Sequence, residues 1–413
     1  MIEKLDVVII GGGAAGLMTA DVLSATNLSV AVFDAMPSVG RKLLQAGVGG
    51  LNITHSEDYQ TFCTRYDSHQ LQLQPILDQL PPDALRSWVH QLGIKTFVGS
   101  SGRVFPEQMK AAPFLRAWLH RLEQSGVHFY LRHQWLGWTL NRELQFLTPH
   151  GEIAIKPRCT VLALGGASWP QLGSNGAWVT ILQTQGVQIA PLQSANCGFE
   201  TTWSPYLREK FAGSPLKSVE IALTDSYKRT LKRRGELIIS EYGVEGSLIY
   251  TFSRMLREQI NCKGQATFIL DLLPNYSIER LVNDLACPRG SKSLSSHLKS
   301  RLGLSGIKTA LLHEILSKHD LNDGRVLAHK IKSLPMTVYQ TRPIAEAISV
   351  AGGVCFSNLN SELMLKRMPG VFVAGEMLDW EAPTGGYLLN ACFATGWHVG
   401  VSVCDWLNKQ PIA

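Results

Sequence analysis

Residues 6–34 constrain this chain more than any other stretch; they read DVVIIGGGAAGLMTADVLSATNLSVAVFD. Val7 to Ile10 is an unbroken apolar run, the pattern of a strand covered on both faces. Gly11, Gly13 and Gly16 follow in G-x-G-x-x-G spacing. The first glycine permits a tight turn, the second admits a diphosphate to the backbone, and the third lets helix and strand pack closely. Ala14 and Ala15 open a helix that runs to Ala25, small and apolar where it must lie on a sheet. Its free N-terminal N–H groups and its dipole suit a pyrophosphate. A second strand, Leu28 to Phe33, ends in Asp34 with Ala35 beside it, where a ribose-binding carboxylate belongs. Strand, helix, strand and terminal acid together predict a bound dinucleotide on an α/β domain.

A chain of 413 residues exceeds what one core serves, so more than one domain is expected. With 45% hydrophobic and 17% charged residues it is a packed globular protein, not a disordered one. No apolar run is long enough to span a bilayer, and no cleavable signal precedes the first strand. A cytoplasmic location and no membrane partner are the expectation. The eight cysteines, at 63, 159, 197, 262, 287, 355, 392 and 404, form no C-x-x-C pair, so neither a redox dithiol nor a metal site is expected. Most read as small buried hydrophobes. The net charge of +6 is uneven: residues 215–335 hold 19 Lys and Arg against 12 Asp and Glu, a balance of +7, leaving −1 elsewhere.

After Asp34 the chain reads PSVGRKLLQAGVGGLNITH. Arg41 and Lys42 can meet a phosphate, and Gly47 lets backbone lie against a flat ring. Asn52 and Thr54 offer side-chain hydrogen bonds. Residues 71–92 read as helical with a break at Pro81-Pro82, 113–124 as a helix, and 127–155 as short strands. Thr160 to Leu164 is another buried strand, ending in Gly165-Gly166, where small residues let a sheet edge approach a ligand. No second G-x-G-x-x-G follows a strand, which argues against two nucleotide domains. From about 191 paired strands are expected at 219–224 and 236–240, then helices at 247–260, 278–286, 292–302 and 306–318. The expected organisation is a first part over 1–190, an inserted domain with β and helical parts over 191–334, and a return over 335–413.

The returning part holds Gly370 to Glu376, a buried strand running through Gly375 into a turn, then Asp379. Gly385, Gly386, Tyr387 and Leu388 open a long apolar helix to Leu407. A diphosphate site at one end of the chain and this segment at the other favour FAD over nicotinamide, because FAD needs a distant second site. Asp379 can accept ribityl hydroxyls, and the glycine pair can present N–H groups to the pyrimidine edge of the ring.

These segments resemble flavoproteins of the glutathione-reductase-like superfamily, and more narrowly the BaiN/RdsA family of NAD(P)/FAD-dependent oxidoreductases, also described as aminoacetone oxidase-like. The resemblance rests on Gly11–Gly16, Gly40 to Leu44, Asn52 with Thr54, Gly102–Pro106 with Lys110-Ala111, Gly165–Pro170, Gly352-Gly353 and Gly375–Tyr387. It implies a Rossmann-like FAD-binding domain of glutathione-reductase type carrying an inserted domain over the flavin. It also implies that NAD(P)H, if used, docks without its own Rossmann domain. Two departures stand out. The family's Arg-Cys-Asn appears as Gly50-Leu51-Asn52, and its Ser-Tyr-Pro as Ser168-Trp169-Pro170.

Three activities fit an FAD site of this kind. The first is an NAD(P)H-dependent reductase of a C=C-type acceptor. The second is a small-amine oxidase using oxygen. The third reduces an RNA base, with RNA gripped by Lys228, Arg229, Lys232, Arg233 and Arg234 next to Tyr227. A non-enzymatic FAD-binding protein is the bland alternative. His55 is the one candidate acid–base group, against a plain turn-capping role. Trp169 and Trp380 are expected to pack over the ring or pocket, and Glu376 and Glu381 to orient the loop around Asp379. Substrate and oligomeric state are left open.

Overall fold

Val7–Ile10 lies third in a five-stranded parallel sheet of the computed structural model, which describes residues 5–225 and 228–410. The order is Val371–Val373, Cys159–Leu162, Val7–Ile10, Val30–Asp34, His128–Leu131. Val7 is paired with Cys159 on one side and Val30 on the other. All four residues of the first strand are buried, because parallel pairing needs long crossovers that cover both faces of the sheet. Helix Ala14–Leu23 is one such crossover. It packs on the terminal helix Tyr387–Lys409, where the Thr19 hydroxyl donates to the Gly396 carbonyl at 2.9 Å. The two ends of the chain are thus joined beside the glycine turn.

A meander of Gln134–Trp138, Leu144–Thr148 and Gly151–Ile155 follows the edge strand. A small sheet of Thr54–His55, Arg103–Pro106 and Thr96–Val98 lies near the start of the terminal helix. One apolar core serves the parallel sheet, the two helices packed on it and the meander. Of the cysteines, Cys63, Cys159, Cys197 and Cys392 are buried and Cys262 is exposed, so burial holds for half of them.

The chain divides into two units: Met1–Gln193 with Ile348–Ala413, and Ser194–Ala347. The second unit has its own core under a seven-stranded antiparallel sheet. The return therefore comes later than the expected 335. Leu334–Val338 pairs with Ala266–Asp271, and Gln340–Thr341 with Phe199–Glu200, which keeps residues up to 347 in the insert. Its hairpin is longer than expected, Ser214–Thr224 against Thr230–Ile239. Strand Ala266–Asp271 and helix Gly324–Lys332 were not anticipated. The expected helices fall where the apolar spacing put them, at Ser247–Thr251 with Ser253–Lys263, Ile278–Ala286, Leu294–Leu302 and Ile307–Ile315, whereas Pro205–Phe211 and Lys318–Asn322 were also unexpected.

Candidate cofactor site

The three motif glycines are not equivalent. A Cβ on Gly11 would stand 2.3 Å from the Ala163 carbonyl, and one on Gly16 2.0 Å from the Gly11 carbonyl. Both are therefore demanded by the chain itself. Gly13 has ordinary extended backbone, φ −84° and ψ −173°, and a Cβ there meets nothing within 4 Å. Nothing in the protein requires glycine at that position. A ligand lying against the helix N-terminus would require it, and Gly13 caps that helix with no side-chain hydrogen bond.

Gly13 shares one pocket with Asp34, Ala35, Arg41, Lys42 and Gly165. Asp34 Oδ2 accepts the Gly12 N–H at 2.8 Å and Oδ1 accepts the Met36 N–H at 2.8 Å. Each oxygen keeps a lone pair for a ribose hydroxyl. Burial pushes this carboxyl above its ordinary range, opposed by the two backbone N–H groups and by Arg41. Among the described residues, four buried side-chain polar atoms have no partner: Arg41 Nε, Trp135 Nε1, Ser174 Oγ and His297 Nε2. The first three line this same pocket. Leaving a buried donor unsatisfied costs about 1–3 kcal/mol, so three in one place form a set shaped for an acceptor-rich ligand such as a dinucleotide. Trp135 and Ser174 escaped sequence reasoning. Each lies far from the motif and reaches the pocket only through the fold.

Lys42 plays a different part from Arg41. Its ammonium donates to Glu376 at 2.8 Å and to Ser168 at 2.9 Å. Glu376 also accepts the N–H groups of Gly166 and Val350, both at 3.2 Å. Lys42 is thus committed to knitting the loops together, and its charge is matched by a carboxylate that is 7% exposed. Ser168 fixes one side of Trp169, whose φ of 58° is strained for an aromatic residue. Gly375 lies against Ala15, which brings the second glycine turn to the start of the first helix. Its N–H donates to Thr395 at 3.0 Å and its carbonyl accepts the Trp380 indole at 3.0 Å. Trp380 is 1% exposed and braces this turn from the core instead of covering a pocket.

Farther along, Asp379 Oδ2 lies 3.9 Å from His69 Nε2, a neighbour the sequence did not reveal. Burial raises the Asp379 carboxyl; His69 opposes that and Glu381 adds to it. Gly386, at φ 92°, sits so close to Thr54 that a Cβ would come within 2.6 Å of its Cα. Gly385 is also left-handed, at φ 136°, and Gly47 packs on Ala111. The Thr54 hydroxyl donates to Asn390 at 2.7 Å, and Asn52 donates to the carbonyls of Thr54 and Val104 at 2.8 and 3.1 Å. These side chains hold the segment in place and leave its backbone beside the terminal helix. Leu388 is half-buried within that first turn.

Both ring nitrogens of His55 are hydrogen-bonded to nearby backbone groups. Its Nδ1 accepts the Glu57 N–H at 3.1 Å, and its Nε2 donates to the Ser101 carbonyl at 3.0 Å. With both nitrogens engaged, the ring serves as a turn cap. The ring stacks on Tyr387 at 5.4 Å. The Tyr387 hydroxyl donates to Glu57 at 2.6 Å, and Arg65 holds the same carboxylate at 2.9 Å. Burial raises the Glu57 carboxyl, but Arg65 and Tyr387 more than offset it and leave it below its ordinary range. No three His, Cys, Asp or Glu side chains among the described residues gather as metal ligands. No helix among them is long and apolar enough to cross a membrane.

Comparison with known proteins agrees with this architecture. The chain is 22% identical to the 3-dehydro-bile acid delta(4,6)-reductase of Clostridium scindens, with 96% of this chain and 98% of that protein covered. It is 23% identical to the ribosomal RNA dihydrouridine synthase of Escherichia coli, with 96% and 97% covered. Among solved structures it is similar to the open conformation of a flavocytochrome c3 fumarate reductase, at TM-score 0.54 and 16% identity over 98% of this chain and 78% of that one. It is also similar to 3-ketosteroid delta1-dehydrogenase from Sterolibacterium denitrificans, at TM-score 0.51 and 11% identity over 98% and 100%. The structural likenesses establish the fold. The model of the HI0933-like protein Rossmann domain matches residues 5–402, from the first strand through the insert and into the terminal helix, and the chain belongs to that family, in keeping with the BaiN/RdsA resemblance of its motifs.

Proposed function

We propose that this flavoprotein oxidoreductase uses FAD and NAD(P)H to saturate a carbon–carbon double bond conjugated to a carbonyl. One observation carries the reading. Two relatives that span the whole chain, a bile acid delta(4,6)-reductase and a ribosomal RNA dihydrouridine synthase, differ in substrate, yet both names describe adding hydrogen across such a bond. The pocket supports FAD. The N–H groups behind Gly13 would take the diphosphate, Asp34 the ribose, and Arg41, Trp135 and Ser174 the remaining acceptors of the adenosine half. Asp379 would accept ribityl hydroxyls, and the turn at Gly385 and Gly386 would meet the pyrimidine edge. When bound, FAD supplies the hydride chemistry; the chain orients it and sets its electrostatics. NAD(P)H would dock transiently, since only one glycine motif follows a strand.

The test is anaerobic titration of the purified flavoprotein, followed by flavin absorbance. Bleaching by NADH or NADPH, and none by small amines, is expected. Bleaching by an amine alone would establish the oxidase instead. A protein that takes up no FAD would remove both.

A second reading, reduction of an RNA base, has its own support. The insert hairpin carries Lys228, Arg229, Lys232, Arg233 and Arg234, all exposed, and two relatives are named for ribosomal RNA. Arg229 pairs with Asp225 at 2.7 Å and Arg234 with Glu220 at 2.9 Å. Lys228, Lys232 and Arg233 have no carboxylate partner among the described residues, which do not include Tyr227. Three unmatched cations on one ribbon suit phosphates. Mass spectrometry of ribosomal and transfer RNA from a deletion strain tests it: a lost reduced base supports the reading, and unchanged RNA removes it.

A further inference from the structure

The seven-stranded sheet of the insert buries one face and leaves the other bare. Ile221, Leu223, Phe268 and Leu270 point into the core. Their alternating neighbours Glu220, Ala222, Thr224, Thr267, Ile269 and Asp271 line the opposite face. On that face the strands form three rows. Thr224 is opposite Thr230; Ala222 is opposite Lys232 and Ile269; Glu220 is opposite Arg234 and Asp271. The small Ala222 makes the middle row a trough, and the cavity above it measures about 570 Å³. That lies within the usual range for a small-molecule site, roughly 300–1,000 Å³.

The polar groups around the trough are arranged unequally. Lys332 is matched by Asp271 at 2.6 Å. Arg234 is fixed by three bonds, to Glu220 at 2.9 Å, Asn275 at 3.2 Å and the Pro274 carbonyl at 3.2 Å. A guanidinium has five N–H groups, so two of its donors are left, held in a fixed plane. Lys232 is exposed and has no carboxylate partner among the described residues. The rim thus carries three cations against two carboxylates. Hydroxyls stand at the open end, where Thr224 and Thr230 are hydrogen-bonded at 2.9 Å. An apolar floor, a preset planar cation, one unmatched ammonium and paired hydroxyls suit a base, a phosphate and a ribose in turn.

We propose that this trough is a nucleotide-binding groove, seating a base over Ala222 and Ile269 with its phosphate on Lys232 and Arg234. The nucleotide is either free or a residue of single-stranded RNA, and the second source rests on the RNA reading above. The groove was not visible as a cluster in the sequence. Lys232 and Arg234 enter it from the hairpin, whereas Arg233, between them, belongs to the opposite face.

Two probes separate the sources: uridine monophosphate, by calorimetry, and a fluorescein-labelled oligouridylate of about ten residues, by anisotropy across a salt series. Both are measured on the full-length flavoprotein and on Ala222→Trp, Lys232→Met and Arg233→Met, with flavin content and melting temperature checked. Ala222→Trp fills the trough without changing charge. Lys232→Met alters only an exposed side chain and keeps the test alive if the first variant misfolds. Binding weakened about tenfold or more by both groove variants, and less by Arg233→Met, is the expected result. An oligomer that binds more tightly than the monophosphate identifies RNA as the source. A monophosphate that binds while the oligomer does not identifies a free nucleotide, upholds the groove and removes the RNA reading. Oligomer binding that both groove variants leave intact overturns the groove and spares the RNA reading. Failure of both probes to bind at low salt overturns the groove.

Discussion

Gly13 and Gly16 belong to one motif, yet they should fail in different ways. Gly13→Ala adds a methyl group where the protein has nothing within 4 Å, so the FAD-free protein should keep its stability to within about 0.5 kcal/mol while FAD affinity falls sharply. Gly16→Ala forces a contact of 2.0 Å on the Gly11 carbonyl and should cost about 1–3 kcal/mol or more with or without FAD. Thermal melting with and without FAD distinguishes the two. Asp34 gives a pH prediction. Its folded pKa is raised by burial, so the folded FAD-free protein binds more protons than the unfolded chain in the acid range. Its contribution therefore lowers stability as pH rises from the ordinary carboxylate range through the raised value. Ribose hydroxyls would favour the charged form, so FAD affinity should rise with pH over that window. Fluorescence titration should show this slope, and Asp34→Asn should flatten it.

At the scale of elements, the joint between the early loop and the returning strand is the Lys42–Glu376 pair. Lys42→Met leaves a buried carboxylate without its cation and should cost about 3 kcal/mol. The double variant Lys42→Met with Glu376→Gln should recover part of that loss in denaturant unfolding, because no charge is then stranded. The Glu57 clasp on Tyr387 is the complementary case. Its carboxyl is held below its ordinary range, so its stabilisation is present above the unfolded pKa and is lost as pH falls through the folded one. Glu57→Gln should therefore melt lower near neutrality, with the gap closing in acid. Elements with strong local signals were legible: the strands of the parallel sheet, the terminal helix and the insert helices between residues 247 and 315. Helix Gly324–Lys332 was not, because it opens on a poor helix former and relies on Asp323 accepting from Arg325 and Val326.

The whole molecule has two cores in two units. The proposed FAD residues lie in the first unit, and so does the pocket with three unsatisfied donors. Calorimetry should resolve two transitions, of which FAD raises one. At a free FAD concentration one hundred times its Kd the shift corresponds to about 2.7 kcal/mol. A single transition, or equal shifts in both, would contradict this division.

The covalent order of residues was enough to determine the glycine turn, the acid at the end of the second strand and the return of cofactor-type sequence near the end of the chain. All of these are local patterns, in which a few neighbouring residues set backbone conformation and hydrogen bonding. Tertiary structure decided that Lys42 joins loops while Arg41 keeps a donor in the pocket, and that His55 clips a turn. It also brought His69 to Asp379 and assembled the trough of the insert. Those outcomes depend on which side chains meet across hundreds of residues, and burial and pairing there are properties of the packed chain, not of any one segment.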